Sequence, residues 1–169
     1  MNKTSNDILY HGATGVVSEP LTHVGRQELD FGPGFYLTND REQAEKWAKI
    51  KSERKKHATP ILNIYRFDSE LFYNDIQYRH ILFPEYNIQW LDFIAANRKG
   101  QSLWKDYDCI EGGIANDSVI STVDAYVDGF ITAQQALDKL VDEKLRHQIC
   151  ISNQSIIDRY LHFVESITL

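Results

Sequence analysis

Apolar residues along this chain recur with two different periods, and the places where the period changes divide it into short strands and helices. Ile8-Leu9-Tyr10 is a short apolar run ended by His11-Gly12, after which residues 13–32 keep neither period and read as a loop. Gly32-Pro33-Gly34 punctuates the chain before the β-prone triplet Phe35-Tyr36-Leu37. Asn39 with Glu42 three residues later has the form of a helix cap and its reciprocal partner, which predicts a helix from near Asp40. That helix turns Ala44, Trp47, Ala48 and the stem of Lys51 inward and stops before Pro60. Residues 60–67 are almost continuously apolar or β-prone, as a central strand covered on both faces should be.

Residues 68–83 carry no decisive pattern. Ile88, Leu91, Ile94 and Ala95 then predict a helix over about 85–98, and residues 107–111 a short strand closed by Gly112-Gly113. Asn116 is expected to cap a helix carrying Val119, Val123, Tyr126 and Val127, which Gly129 ends. Thr132 and Gln135 form a capping box ahead of Ala136, Leu137, Leu140, Val141 and Leu145, and residues 148–152 and 161–167 are the last strand candidates. A strand-rich core that receives helices in the middle of the chain predicts an α+β fold over 1–169 as a single domain, without the alternation of a doubly wound parallel sheet.

Composition narrows the class. With 169 residues, 43% hydrophobic and 25% charged, the chain has the usage of an ordinary globule with one core. Its longest apolar run, Phe93 to Ala96, is far too short to span a bilayer, and its first residues lack the apolar stretch of a signal peptide, so a cytoplasmic protein without membrane contact is expected. A net charge of −6 repels polyanions, and any nucleic-acid contact must use a local patch. The basic cluster Lys46, Lys49, Lys51, Arg54, Lys55 and Lys56 spreads around a helix and reads as a solvated helix end. Cys109 and Cys150 have no CxxC or matching His spacing, which argues against a disulfide or metal site and for buried thiols. His147 and Cys150 fall on opposite faces of a strand and form no dyad. Neither a Rossmann nor a P-loop glycine pattern is present.

Leu9-Tyr10-His11-Gly12, then Phe31-Gly32-Pro33-Gly34-Phe35-Tyr36-Leu37-Thr38, then a helix opening Asp40-Arg41-Glu42-Gln43-Ala44, resembles the NAD-binding half of the ADP-ribosyltransferase superfamily in its diphtheria-toxin-like and poly(ADP-ribose) polymerase branch. Over nearly the whole length, including the stretches 108–117, 126–132 and 145–150, the chain is similar to a bacterial family within that superfamily known only as a domain of unknown function. The resemblance implies a split antiparallel β-sheet with flanking helices. It also implies a mono-ADP-ribosyltransferase that takes NAD as substrate, releases nicotinamide and modifies a macromolecular acceptor, protein or nucleic acid. Such small bacterial enzymes resemble toxins or effectors held in check by a neutralising antitoxin protein.

Carried over residue by residue, His11 would bond the adenosine ribose, the backbone of Gly12 would grip the nicotinamide amide, and Tyr36 would stack on the pyridinium. Gly34 and Phe35 complete the cofactor-binding set. The position where the superfamily has a glutamate is matched by Gln148, which can position a ribose hydroxyl but supplies no charge and no base. A carboxylate from elsewhere would then be needed, with Glu111 ranked ahead of Asp117 and Glu143 because it ends a strand beside two glycines. Taken singly, His11 reads as a surface or core residue, Gly12 as a turn and Tyr36 as core; the ordered set carries the NAD reading. The rival is a non-catalytic NAD or ADP-ribose binding module that has lost its glutamate.

Overall fold

The structure is a computed structural model in which residues 7–24, 30–115 and 117–169 are described. Among them the chain forms two β-sheets and six α-helices. The first sheet has the order β1 (Asp7–Ala13), β3 (Ile61–Phe67), β7 (Leu161–Thr168), with both pairs antiparallel. The second has the order β2 (Phe35–Leu37), β6 (His147–Ile151), β5 (Cys109–Gly113), β4 (His80–Leu82). It is antiparallel except between β4 and β5, which run parallel, so the expectation of a wholly antiparallel core is corrected at that edge.

The helices are α1 (Arg41–Glu53), α2 (Ser69–Tyr73), α3 (Ile88–Arg98), α4 (Asp117–Val127), α5 (Ala133–Leu140) and α6 (Gln154–Tyr160). The cap of α1 is Asp40, whose side chain accepts from the Gln43 N–H at 3.2 Å, one residue later than the Asn39 expected from sequence. Asn39 instead donates its own N–H to His147 Nδ1. Asn87 caps α3 by accepting from Trp90, which starts that helix at Ile88 rather than near 85. The Thr132/Gln135 capping box forms with both reciprocal bonds, at 3.2 and 2.8 Å. The expected cap at Asn116 lies outside the described residues. α5 stops at Leu140, leaving Val141 exposed instead of packed.

The second sheet separates two cores. Ile149 and Ile151 of β6 and Cys109 of β5 face Leu9, Tyr65, Phe67, Phe72 and Ile156, so this core lies between the sheets. Ile110 and Cys150 face the other way, into Trp90, Ile94, Val119, Val123 and Leu140 from α3, α4 and α5. Both cysteines are buried free thiols on opposite sides of the sheet, and burial pushes the Cys150 thiol up to about 12. α1 packs on the outer face of the first sheet through Ala44 against Leu62 and Ile64. β3 is the central strand of its sheet, as its continuous apolar run predicts. No helix among the described residues is long and apolar enough to cross a membrane.

Candidate functional site

The two sheets part beside a bridge between Tyr10 and Thr38, whose N–H groups donate to each other's carbonyls at 2.8 and 3.0 Å. Strand alternation puts Tyr10 and Gly12 toward α1 and turns Leu9 and His11 the other way. His11 lies against the Phe35 ring, with centroids 4.5 Å apart, and reaches across the gap to the Tyr36 carbonyl at 2.7 Å. Because that partner only accepts, Nδ1 carries the proton and Nε2 keeps the lone pair. Burial, then the nearby Lys51 charge, lowers the pKa of His11 to about 4, so the ring is neutral at physiological pH.

Around His11 opens a cleft of about 730 Å³ lined also by Gly34, Phe35, Tyr36 and Gln148, so these five expected site residues converge. Tyr36 holds the preceding turn in place, its hydroxyl donating to the Gly32 carbonyl at 2.5 Å. Gly32 has φ +79°, and a Cβ on Gly34 would fall 2.6 Å from Cys150 Sγ, so this turn requires glycine to lie against β6. Gly12 is not part of the lining. A Cβ there would stand 2.0 Å from the Ala44 carbonyl oxygen, which makes Gly12 the point where the α1 backbone rests on β1.

Two further walls complete the cleft. α1 contributes Trp47, Ile50, Lys51 and Arg54, and the loop after β1 contributes Val17, Glu19, Leu21 and Val24. Thus Lys51 and Arg54 are not merely part of a solvated helix end. The loop is fastened by polar side chains, two of them buried, that sequence reasoning did not single out. Asn63, fully buried in β3, accepts from the Val17 N–H at 2.8 Å and donates to the Gly15 carbonyl at 3.1 Å. Tyr65 donates to the Val17 carbonyl at 2.5 Å, while Gln154 accepts from Thr22 and donates to Pro20, each at 2.9 Å. The available signal was an asparagine between apolar residues of a central strand, which a core excludes unless its amide is bonded.

Gln148 and Glu111 have opposite fates. In the β5–β6 ladder Gln148 pairs with Gly112 and Glu111 with Ile149, which puts the two side chains on opposite faces of the sheet. Gln148 is 6% exposed, lines the cleft, and its side-chain amide has no hydrogen-bond partner among the described residues. Glu111 is outside the cleft. It accepts from Tyr73 and from His147 Nε2, the latter at 2.6 Å, and the Asn39 N–H donates to His147 Nδ1 at 3.1 Å, which fixes the ring's neutral tautomer. Burial pushes the Glu111 carboxyl upward, but the bonds from His147 and Tyr73 outweigh it and hold its pKa below the usual value. Of the other carboxylates considered from sequence, Glu143 accepts from the Ser118 hydroxyl at 2.6 Å, and the Asp117 side chain lies outside the described set.

The carboxylates that do line the cleft are Glu19 and Asp30, neither of which stood out in the sequence. Asp30 is engaged by Arg98 through Nε at 2.9 Å and Nη2 at 3.2 Å, whereas Glu19 is exposed on the loop.

Comparison with known proteins returns one family, described as "Protein of unknown function (DUF3990)", whose model matches residues 8–163. No curated protein and no solved structure matches the chain.

Proposed function

The chain belongs to the DUF3990 family, and from its cleft we propose an NAD-dependent mono-ADP-ribosyltransferase. The observation that carries this reading is a nearly buried, unpartnered Gln148 amide sharing one cleft with a neutral His11 and the Tyr36 ring. An amide that the protein leaves without a partner in a cleft is free to bond a ligand in place of water. His11 Nε2 accepts from one ribose hydroxyl of NAD, and Gln148 binds a hydroxyl of the other. Tyr36 and Trp47 give the cleft aromatic faces that suit a cationic pyridinium ring. The volume of about 730 Å³ falls in the usual range for a ligand of this class. The resemblance of the His11-Gly12 and Gly34-Phe35-Tyr36 segments to the ADP-ribosyltransferase superfamily supports the same reading, including its split-sheet fold.

In the reaction the bond between the nicotinamide nitrogen and ribose C1′ breaks, and its electron pair leaves with neutral nicotinamide. The cationic sugar is captured by a nucleophile of a macromolecular acceptor, protein or nucleic acid, which gives up its proton. Gln148 orients the sugar without stabilising its charge. By the same resemblance the protein acts in the cytoplasm as a toxin or effector, with a neutralising antitoxin as partner. A second reading, an NAD or ADP-ribose binding module without turnover, is favoured by one feature: no carboxylate stands at 148, and Asp30 is already committed to Arg98.

Nicotinamide release from NAD tests the proposal. Gln148→Ala is expected to reduce the rate about fivefold, the equivalent of one lost hydrogen bond of about 1 kcal/mol. Gln148→Glu is expected to raise hydrolysis, since a carboxylate about 4 Å from the developing charge contributes up to about 4 kcal/mol at an effective dielectric near 20, less its desolvation. NAD binding without release in any variant would select the binding module; no NAD binding at all would overturn both readings.

A further inference from the structure

The transfer proposed above leaves one step without an agent. The nucleophile that captures the cationic sugar loses a proton, and a group in the cleft has to take it. Most of the polar side chains that line the cleft are unsuited to this. Lys51 and Arg54 are cations with donors only, Gln148 has no basic atom, and the Tyr36 hydroxyl donates to the Gly32 carbonyl. His11 holds the Tyr36 carbonyl through Nδ1, and its lone pair at Nε2 is the one assigned to a ribose hydroxyl. Asp30 turns one oxygen to Arg98 Nε at 2.9 Å and the other to Nη2 at 3.2 Å. Glu19 is the carboxylate of the lining that accepts no hydrogen bond and forms no ion pair among the described residues.

The fold also holds Glu19 more firmly than an exposed loop residue requires. Val17, Glu19 and Leu21 line the cleft at every second position, while Pro20 among them is buried. On one side of Glu19 the Val17 N–H is bonded by Asn63 and the Val17 carbonyl by Tyr65; on the other, Gln154 bonds the Pro20 carbonyl and the Thr22 N–H. These anchors come from β3 and α6, both remote in sequence from the loop. Main chain at a surface can bond to water, so a mere connection between β1 and β2 has no need of an asparagine placed in a central strand. Tying the backbone down on both sides fixes the point from which the Glu19 side chain springs, and a proton acceptor has to be held in place. Its exposure suits a large reaction partner. Leu21 and Val24, which line the cleft beside it, are 46% and 69% exposed, so this wall reaches the mouth where a macromolecular acceptor enters.

We infer that Glu19 is the general base of the transfer and receives the proton of the incoming nucleophile. The inference rests on the ADP-ribosyltransferase reading of the cleft and supplies the proton acceptor which that reading lacks. The bond between ribose C1′ and the nicotinamide nitrogen breaks, its electron pair leaving with nicotinamide, and a lone pair on an oxygen or nitrogen of the acceptor forms the new bond to C1′. The proton displaced from that atom passes to the Glu19 carboxylate and from there to water. Gln148 then orients the sugar while Glu19 acts on the acceptor, so a glutamine at 148 does not prevent transfer.

Nicotinamide release, calorimetric NAD affinity and rescue by azide test this in the full chain. With water as acceptor, Glu19→Gln and Glu19→Ala are expected to lower nicotinamide release by about tenfold or more and to leave NAD affinity within about twofold. Azide is a nucleophile with no proton to lose. In Glu19→Ala, where the shortened side chain leaves room for it, azide should bring release back to within about threefold of the wild type and yield ADP-ribosyl azide, while accelerating the wild type by less than about twofold. Release unchanged in both variants, or a loss that azide does not restore, would overturn the inference and leave the NAD reading standing. A fall in NAD affinity as large as the fall in release would also overturn it, by making Glu19 a ligand-binding group. A wild-type protein that binds NAD without releasing nicotinamide would overturn the base and select the binding module, and one that binds no NAD would overturn both.

Discussion

The two faces of β6 handle polar side chains in opposite ways. His147 and Gln148 are consecutive, yet His147 is bonded at both ring nitrogens, to Glu111 and to the Asn39 amide, while Gln148 has no side-chain partner among the described residues. A polar group that the fold itself satisfies contributes to stability, whereas one left open in a cleft is a place for a ligand. Glu111, the one ionisable group of the two, is thus bonded within the fold, and Gln148, a neutral amide, is the functional candidate.

Substitution should separate the faces most sharply by stability. Glu111→Ala leaves the His147 N–H and the Tyr73 hydroxyl without an acceptor and is expected to cost about 3 kcal/mol. Gln148→Ala should cost less than about 0.5 kcal/mol while impairing nicotinamide release. Urea denaturation of both variants checks this, and equal losses would erase the distinction between the faces.

Acid should act on the cleft, through His11, and on the Glu111 side of β6 in separate pH windows. The native state keeps His11 neutral down to about 4, against 6.5 when unfolded. The unfolded chain therefore takes up a proton that the native one refuses, and stability present above pH 6.5 falls until about pH 4, by up to about 3 kcal/mol. Glu111 has the depressed carboxylate of a bonded group, so its contribution is full above 4.5 and declines only at more acid pH. His11→Asn should flatten the first window and leave the second, as read from denaturation midpoints at a series of pH values. Persistence of the first window in that variant would assign it to another group.

The smallest effect belongs to the turn beside the cleft. Tyr36→Phe removes the bond to the Gly32 carbonyl and is expected to destabilise the protein by about 1 kcal/mol while preserving NAD affinity, because stacking uses the ring. Tyr36→Ala should weaken NAD binding as well. Calorimetry showing equal affinity losses in the two variants would transfer the role from ring to hydroxyl.

How far the sequence reaches differs between these regions for physical reasons. The period-2 pattern around residues 147–151 correctly separates the faces of β6, because alternation is local. The face of Glu111 depends on register, and reading Gly112-Gly113 as a strand end concealed it. Those glycines continue β5, and a Cβ on Gly113 would lie 2.2 Å from the Tyr86 ring, so close packing selects them rather than a turn. α2, β4 and α6 were not legible. The first two are short segments in a stretch without pattern, and α6 rests on the Asn153 cap and on Ile156, Ile157 and Tyr160 reaching a core assembled from distant strands. The convergence of His11, Tyr36 and Gln148 follows from an ordered motif, but Lys51 and Arg54 were dispersed among six cations until the helix had a defined azimuth over β1.

That azimuth has a mutational consequence. At Gly12, α1 meets β1 main chain to main chain, with Ala44 and Ala48 opposite. The distance of the α1 wall from the sheet is thus set by this contact together with the packing of Ala44 on Leu62 and Ile64. A single methyl group at Gly12 would meet the Ala44 carbonyl oxygen and shift the helix. Gly12, Ala44 and Ala48 set the gauge of the cleft, and variation at these three positions offers the most direct way to retune its width without altering a residue that lines it.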